Sequence, residues 1–280
     1  MQLVNGYKLM SYATETHSVL PAFNTTNYEL TQGIIQGIQK TKSGGYIAIS
    51  SSNLELSSPN MIASMVRFAM KDAEVPVALH LDHGKSFQDV KECVEAGFTS
   101  IMVDASHLPF EKNIEEVAKI VRYCHFFNIP VEAELGAIGG KEDDELSEAG
   151  KTNPNDVKEF IERTNCDLLA VSVGNVHGLD IKPNLDFELL EDIYNISSVP
   201  LVLHGGSGIP FDQVRRARKN NLIKVNYGSD LRNAFISTFG KEFENNHNAF
   251  DVKSLSKKAI ENVSNKVIEI TNEINYSNNQ

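Results

Sequence analysis

The sequence contains little cysteine and no tryptophan. Its 280 residues include three cysteines, Cys93, Cys124 and Cys166, which lie far apart and form no Cys-x-x-Cys pair. An odd number of widely spaced cysteines predicts neither a disulfide framework nor a zinc site built from thiolates. We therefore expect three reduced thiols in a cytoplasmic protein.

Basic residues and long apolar runs are also scarce. The 26 Lys and Arg residues are outnumbered by 37 Asp and Glu residues, which gives a net charge of -11. Nucleic acid requires a basic surface, so this charge argues against such a partner. No run approaches the roughly 18 apolar residues that cross a bilayer, and the N-terminal "MQLVNGYKLM" lacks a signal-peptide pattern. The sequence predicts a soluble protein that acts on small molecules, including anions at a local site.

What the chain does contain is a series of short apolar runs rich in Val, Ile and Leu. Continuous apolar runs are typical of strands that are buried on both faces, as in parallel sheets. With 41% hydrophobic residues, the chain can also bury a sizeable core. The eight runs occupy residues 19–24, 45–50, 76–82, 99–105, 129–135, 167–174, 199–206 and 221–228.

Amphipathic segments lie between these runs. One of them places Phe87, Val90 and Val94 on one helical face before Gly97, and another opens with an Asn-Pro pair at residue 153, as helices often do. Eight strand–helix units predict an α/β protein of the (β/α)8 TIM-barrel class, as one domain over residues 1–280. A doubly wound open sheet is the alternative. Residues 254–274 predict a long C-terminal helix that packs on the barrel or on a partner subunit.

Polar residues collect where the predicted strands end. Parallel strands of a barrel all end at one face, and barrel enzymes build their catalytic sites there. The sequence therefore predicts a functional site at this face. Its candidate residues are Asp82, His83, Asp104, Glu134, His177, His204 and Asn226.

Three of these candidates are histidines that follow different strands. Three neutral imidazoles with an open fourth position form a catalytic zinc arrangement. A lone histidine at a strand end is more often a core or loop residue, so the pattern by itself leaves a metal site and structural histidines both open. His80 lies within a strand, and we expect it to point into the barrel or to support a neighbour. The four remaining histidines are interpreted as structural.

Glycine-rich segments follow two of the predicted strands. The segment "HGGSG", residues 204–208, can hold a phosphate with its backbone N–H groups, although such a turn can also be only a tight loop. Its position after the seventh strand favours phosphate, and "NYGS" after the eighth adds Asn226 and Ser229 as donors. The segment "GAIGGKEDDE" carries Glu142, which could close over a substrate. Its spacing alone favours a solvated acidic loop.

Taken together, these motifs resemble the class II, zinc-dependent fructose-bisphosphate aldolase family, especially its tagatose-bisphosphate and short fructose-bisphosphate branch. The resemblance spans residues 19–232, and its marks are "LDHG", "IMVDAS", "EAELGAIGGKEDD", "SVGNVHG" and "VLHGGSGIP". It implies a (β/α)8 barrel that reversibly cleaves a ketose bisphosphate to dihydroxyacetone phosphate and an aldehyde.

The resemblance also implies a metal site. His83, His177 and His204 match the zinc ligands of the family, and Glu134 and Asp104 match residues that can hold the metal in an alternative position. A monovalent cation, Na⁺ or K⁺, near the phosphate and a homodimeric or homotetrameric assembly are further family features.

Catalytic and substrate-binding roles follow in the same way. Asp82 matches the residue that exchanges a proton with the C4 hydroxyl, and Glu142 matches the acid/base that acts on the dihydroxyacetone phosphate carbon. The other matching positions are expected to bind substrate. They are Asn24, Ser50, Gly178, Gly205, Gly206, Ser207, Asn226, Tyr227, Gly228 and Ser229.

The chain departs from the family where the far end of the substrate binds. Relatives commonly have a Pro-Arg pair for the distal phosphate where this chain reads "FDVKSL", with Lys253 as the nearby cation, and Lys141 replaces a frequent Gln or Glu. Fructose 1,6-bisphosphate, tagatose 1,6-bisphosphate and a ketose phosphate with another distal group therefore remain open as substrates.

Three other functions compete with a metal-dependent aldolase. An aldolase that forms a Schiff base requires a lysine near a strand end, and Lys224 lies inside the eighth strand. A metal hydrolase on a barrel often has His-x-His in its first strand, which "VLPAFN" lacks. A sugar-phosphate sensor without catalysis would need neither Asp82 nor Glu142 as a proton carrier.

Overall fold

Eight parallel strands close into a barrel in the computed structural model, which describes residues 3–142, 145–147, 150–179, 182–248 and 250–276. Three short strands form a second sheet. In chain order, the strands are β1 (Leu20–Asn24), β2 (Gly45–Ser50), β3 (Val77–Gly84), β4 (Ser100–Val103), β5 (Val131–Leu135), β6 (Gly139–Glu142), β7 (Glu145–Ser147), β8 (Leu168–Val171), β9 (Val176–His177), β10 (Leu201–Leu203) and β11 (Leu222–Tyr227).

Helices surround the barrel and close its bottom. They are α1 (Gly6–Thr16), α2 (Tyr28–Thr41), α3 (Pro59–Ala69), α4 (Phe87–Ala96), α5 (Phe110–Phe126), α6 (Pro154–Thr164), α7 (Phe187–Ile196), α8 (Phe211–Ala217), α9 (Ser229–Asn245) and α10 (Val252–Asn275). No helix in the described ranges is both long enough and apolar enough to cross a membrane.

The predicted barrel is confirmed, and the open-sheet alternative is excluded. Each of the eight apolar runs supplies one barrel strand, in the order β1-β2-β3-β4-β5-β8-β10-β11. The last strand pairs with the first, with Leu20 opposite Lys224 and Ala22 opposite Asn226, so the sheet has no open edge. All eight strands therefore end at one face.

The predicted local signals for two helices are also confirmed. Gly97 ends α4 in the left-handed conformation, with φ of 88°. At the start of α6, the side chain of Asn153 accepts a hydrogen bond from the backbone of Asn155, and Pro154 is the first helical residue. These residues satisfy or remove backbone groups that a helix terminus leaves unpaired.

The long C-terminal helix packs on the barrel. Helix α10 buries Val263, Val267 and Ile270 and lies against α2. Close approach depends on glycine, because a Cβ atom at Gly33 of α2 would lie 2.7 Å from the Val263 side chain. The helix extends the predicted segment by two residues at its N-terminus and one at its C-terminus.

Helix α1, which precedes the first predicted strand, closes the bottom of the barrel. Its Leu9 and Ala13 form one apolar cluster with inward side chains such as Leu20, Tyr46 and Val202. A larger apolar cluster fills the space between the strands and the helices. Because apolar side chains fill the bottom, the face where the strands end is the expected place for a site within the barrel.

Candidate active site

A bulge at the end of β3 brings two adjacent residues to the same site. Leu81 pairs with Ile101 of β4, but the next pairing joins Gly84 to Val103, so β3 contains one extra residue. In a regular strand, neighbouring side chains would face opposite sides of the sheet. His83 instead adopts a positive φ of 46°, and its ring turns toward the barrel axis beside Asp82.

The three histidines that follow different strands converge at this face. One ring nitrogen each from His83, His177 and His204 lies within 4.8 Å of the other two. His83 Nε2 and His204 Nδ1 are 2.9 Å apart, and the rings of His83 and His177 are 5.4 Å apart between centroids. Three converging imidazoles fit the ligand set of a catalytic zinc ion, which leaves a coordination position for substrate.

Acidic partners fix the orientation of two of these rings. His83 Nδ1 lies 2.9 Å from Asp104 Oδ2, and His204 Nε2 lies 2.8 Å from Glu132 Oε1. Burial would raise the pKa of Asp104, but the hydrogen bond and charge of His83 hold it well below its usual range. When the rings are neutral and the carboxylates accept from their outer nitrogens, the inner nitrogens can offer lone pairs to a metal ion.

The carboxyl group of Asp82 lies next to the histidine cluster and is fully buried. Asn24 donates to its Oδ2 at 2.7 Å, and Asn226 donates to its Oδ1 at 2.8 Å. His204 Nδ1 lies 3.8 Å from Oδ1. The two amides hold the carboxylate at the centre of the strand ends, where it can act as a base.

Asp104 and Glu134 lie on the other side of His83. Ser106 Oγ donates to Asp104 Oδ1 at 2.7 Å and contacts Glu134 Oε1 at 3.1 Å. Burial, followed by the neighbouring charge of Asp104, raises the pKa of Glu134 well above its usual value, and its Oε2 is buried without a hydrogen bond. These two carboxylates and His83 form a second group whose geometry could hold a metal ion.

A pocket beside the histidines contains most of the predicted substrate-binding residues. Its walls include the glycine-rich turn after β10 and the start of α9, where the Asp230 N–H donates to Ser207 Oγ at 3.1 Å. Arg232 adds a positive charge that the sequence analysis missed, and it donates to Ser229 Oγ at 3.2 Å. The lining residues are Asn24, His177, Gly178, Gly205, Ser207, Asn226, Gly228, Ser229 and Arg232.

Backbone conformation explains why glycine occupies two positions in this pocket. Gly178 and Gly205 have φ values of 93° and 67°, which favour glycine. Gly205 also contacts the Val176 carbonyl so closely that a Cβ atom would overlap it. The turn therefore brings its backbone beside β9, which carries His177.

The remaining predicted contacts lie outside the pocket lining. Gly206 packs against β11, and the Tyr227 ring belongs to the outer apolar core because Asn226 before it faces inward. Ser50 is buried, with its Cα opposite that of Asp82. Lys253 is exposed in the first turn of α10.

Glu142 is the last residue of β6, and its side chain lies outside the described part of the structure. The glycine-rich segment forms an antiparallel pair with β7 and a parallel pair with β9, in which Gly140 lies opposite His177. Residues 139–142 of this segment are therefore the central strand of a three-stranded sheet next to a candidate metal ligand, where the sequence suggested only a loop.

Three buried polar residues below the site were not among the predicted site residues. Lys224 donates to Glu132 Oε2 at 2.6 Å and lies 3.3 Å from His80 Nε2. Burial would raise the pKa of Glu132, but Lys224 and His204 hold it well below its usual value. His80 points into the barrel, as predicted. For Glu132 and Lys224, the signal in the sequence was a charged residue inside an apolar run, two positions before another polar residue, as in "VEAEL" and "LIKVNY".

Comparisons with known proteins agree with this arrangement. Residues 4–279 match the family model of class II fructose-bisphosphate aldolase. The chain is 36% identical to the fructose-bisphosphate aldolase of Geobacillus stearothermophilus over 260 residues, 91% of each chain, and 39% identical to a probable fructose-bisphosphate aldolase of Bacillus subtilis over 82% of each chain.

Solved structures show the same similarity. The YdjI aldolase of Escherichia coli K12 superimposes with a TM-score of 0.86 at 30% identity over 99% of both chains. A putative fructose-1,6-bisphosphate aldolase of Coccidioides immitis gives a TM-score of 0.85 at 27% identity over 96% of both chains. With its barrel, its converging histidines and these matches over almost its whole length, the chain belongs to the class II fructose-bisphosphate aldolase family and is an aldolase.

Proposed function

We propose that this enzyme uses zinc to cleave fructose 1,6-bisphosphate reversibly to dihydroxyacetone phosphate and glyceraldehyde 3-phosphate. The observation that carries the proposal is the convergence of His83, His177 and His204 beside the buried carboxylate of Asp82. These imidazoles would hold the zinc ion. When bound, zinc would polarise the ketone and stabilise negative charge on its oxygen.

Asp82 is the proposed base for cleavage. Its carboxylate accepts the proton of the C4 hydroxyl as the C3–C4 bond breaks, and it returns the proton in the reverse direction. Asn24 and Asn226 keep the carboxylate in place through hydrogen bonds to both oxygens. Glu142 is the proposed acid/base at C3 of the dihydroxyacetone phosphate half.

The phosphate of that half binds in the pocket beside His177. Backbone N–H groups near Gly205 donate to its oxygens, and Arg232 supplies positive charge within an acidic protein. Binding and proton transfer would thus use adjacent parts of the same face. We also propose that a monovalent cation, Na⁺ or K⁺, binds near this phosphate.

The environment of Lys224 argues against a Schiff-base mechanism. Its side chain is fully buried below Asp82 and Asn226, and its Nζ lies 2.6 Å from a Glu132 oxygen, so the amine does not face the substrate pocket. A Schiff-base lysine must instead present a neutral amine to the substrate. Sodium borohydride added with substrate should therefore leave this enzyme unmodified.

Tagatose 1,6-bisphosphate, or a ketose phosphate with a different distal group, is the alternative substrate. The proposed pocket for the dihydroxyacetone phosphate half has several polar lining residues, whereas Lys253, the cation near the usual distal-phosphate position, lies exposed on α10. A sugar-phosphate sensor without catalysis is the alternative of another class. The location of Asp82 between two amides and the histidines favours the enzyme.

The proposal includes a cytoplasmic location and a homo-oligomeric assembly. Three buried free cysteines suit a reducing cytoplasm. A homodimer or homotetramer is proposed, and exposed apolar side chains on α9, such as Ile236 and Phe243, would suit a subunit contact.

A coupled assay of dihydroxyacetone phosphate release tests the proposed function. Fructose and tagatose 1,6-bisphosphate are supplied in parallel, with zinc and then with a chelator. We expect cleavage of the fructose substrate that the chelator abolishes. Faster cleavage of the tagatose substrate would reassign the substrate, and binding of both without cleavage by zinc-loaded protein would favour the sensor.

A further inference from the structure

A layer of buried polar and charged side chains lies in the barrel between the apolar bottom and the candidate site. On three strands, the residue two positions before a site residue also points inward and is fully buried. The three pairs are His80 with Asp82, Glu132 with Glu134, and Lys224 with Asn226. Charged groups in the interior cost free energy of desolvation, so this layer calls for an explanation beyond filling space.

We propose that Lys224 and Glu132 are positioning residues that hold His204 in the tautomer and orientation needed to bind metal through Nδ1. This inference rests on the metal site of the proposed function. Neither residue is expected to touch the substrate, since both lie below the layer of Asp82 and Asn226.

The direction of each hydrogen bond carries the argument. An ammonium can only donate, so Lys224 donates to Glu132 Oε2 at 2.6 Å. Glu132 Oε1 then accepts from His204 Nε2 at 2.8 Å, which places the imidazole proton on Nε2. A neutral ring with its proton on Nε2 has its lone pair on Nδ1, the nitrogen that faces His83.

The hydrogen bond at the other end of this series, between Lys224 and His80, also has a fixed direction. Lys224 also approaches His80 Nε2 at 3.3 Å, so that nitrogen must accept and the ring proton lies on Nδ1, 2.8 Å from Ser100 Oγ. Burial, and then the Lys224 charge, lower the pKa of His80 to about 3, which keeps this ring neutral. The lysine is thus held from two sides and cannot turn away from Glu132.

A hydrogen bond to the backbone of His204 also helps to fix the position of this residue. Asn175 Nδ2 donates to the His204 carbonyl at 3.1 Å, so both the main chain and the ring have fixed partners. His83 differs, because its partner Asp104 lies at the partly exposed surface of the site. Of these two rings, His204 alone is therefore oriented from inside the barrel by a charged pair.

Two double variants isolate the role of the acceptor oxygen. Lys224→Met/Glu132→Gln removes both charges but keeps a carbonyl oxygen for the N–H of His204. Lys224→Met/Glu132→Leu removes the charges and the oxygen together. Both avoid an unpaired buried charge, so their folding can be compared directly by thermal unfolding of the metal-free proteins.

Metal affinity is then measured without substrate, by titrating each metal-free protein with Co²⁺ and following the visible absorption of the bound ion. We expect the Leu variant to bind Co²⁺ about 10-fold to 100-fold more weakly than the Gln variant, at similar melting temperatures. Equal affinities of the two variants would overturn the proposal. Because no substrate is present, failure of the wild-type enzyme to cleave a ketose bisphosphate would not affect this result.

A measurement on the wild-type protein keeps the proposal testable if a double variant does not fold. Nitrogen-15 and proton NMR of the zinc-loaded protein should show His204 with a slowly exchanging proton on Nε2 and with Nδ1 shifted by the metal. A His204 ring with its proton on Nδ1, or with metal at Nε2, would contradict the assignment.

Discussion

At the scale of single residues, Asp82 and His83 show how two neighbours can serve one site. The extra residue of β3 and the positive φ of His83 turn both side chains inward, whereas a regular strand would separate them. The motif "LDHG" thus contains both the bulge of β3 and the two candidate site residues. The residue types were visible in the sequence, but the distortion that aligns them depends on the pairing with β4.

Replacement of the proposed base gives the first prediction at this scale. We expect Asp82→Ala to lower kcat by roughly 10²-fold to 10⁴-fold, because no nearby group would accept the C4 hydroxyl proton. Bound zinc per chain should stay unchanged, since the three histidines remain. Dihydroxyacetone phosphate release and metal analysis give the two quantities.

Asp72→Ala is the matched control, since Asp72 is exposed in the turn that follows α3. This variant should keep wild-type cleavage. Wild-type turnover by Asp82→Ala would remove the carboxylate from the mechanism, and loss of zinc from that variant would make Asp82 a residue of the metal site instead.

At the scale of elements, the apolar runs and helix signals were sufficient to predict the barrel. Each buried run formed a strand because its backbone groups pair on both sides and its side chains pack on both faces. The buried charges of β5 and β11 were harder to interpret, since Glu132 and Lys224 are far apart in sequence and are paired only by barrel closure. Arg232 was missed for a related reason, because only the first turn of α9 brings it to the pocket.

Helix packing gives a prediction at this scale. We expect Gly33→Ala to lower the free energy of unfolding by about 1–3 kcal/mol, because the new methyl group would press against Val263 and the Ile260 carbonyl of α10. Urea unfolding followed by circular dichroism measures the change.

Gly240→Ala provides the matched control on α9. A Cβ atom there meets nothing within 4 Å, so the substitution should stabilise the protein by about 0.5–1 kcal/mol through the helical preference of alanine. If Gly33→Ala were as stable as the wild type, the close contact between α2 and α10 would not require glycine.

At the scale of the whole molecule, the apolar bottom and the candidate site lie at opposite ends of the barrel. Helix α1 and the apolar cluster close one end of the barrel, and the strand ends carry the polar groups at the other. A net charge of -11 argues against nucleic acid as a partner, yet the proposed phosphate pocket includes the positive charge of Arg232. Composition could not reveal this pocket, because it depends on which few groups the fold brings together.

The most direct test of the metal-dependent mechanism is the rate of dihydroxyacetone phosphate release as a function of bound zinc. Protein freed of metal by a chelator is reconstituted in steps, and zinc per chain is measured at each step. We predict that metal-free protein is inactive and that the rate rises in proportion to bound zinc, reaching its maximum at about one ion per chain. Full cleavage of fructose 1,6-bisphosphate by the metal-free protein would contradict the account.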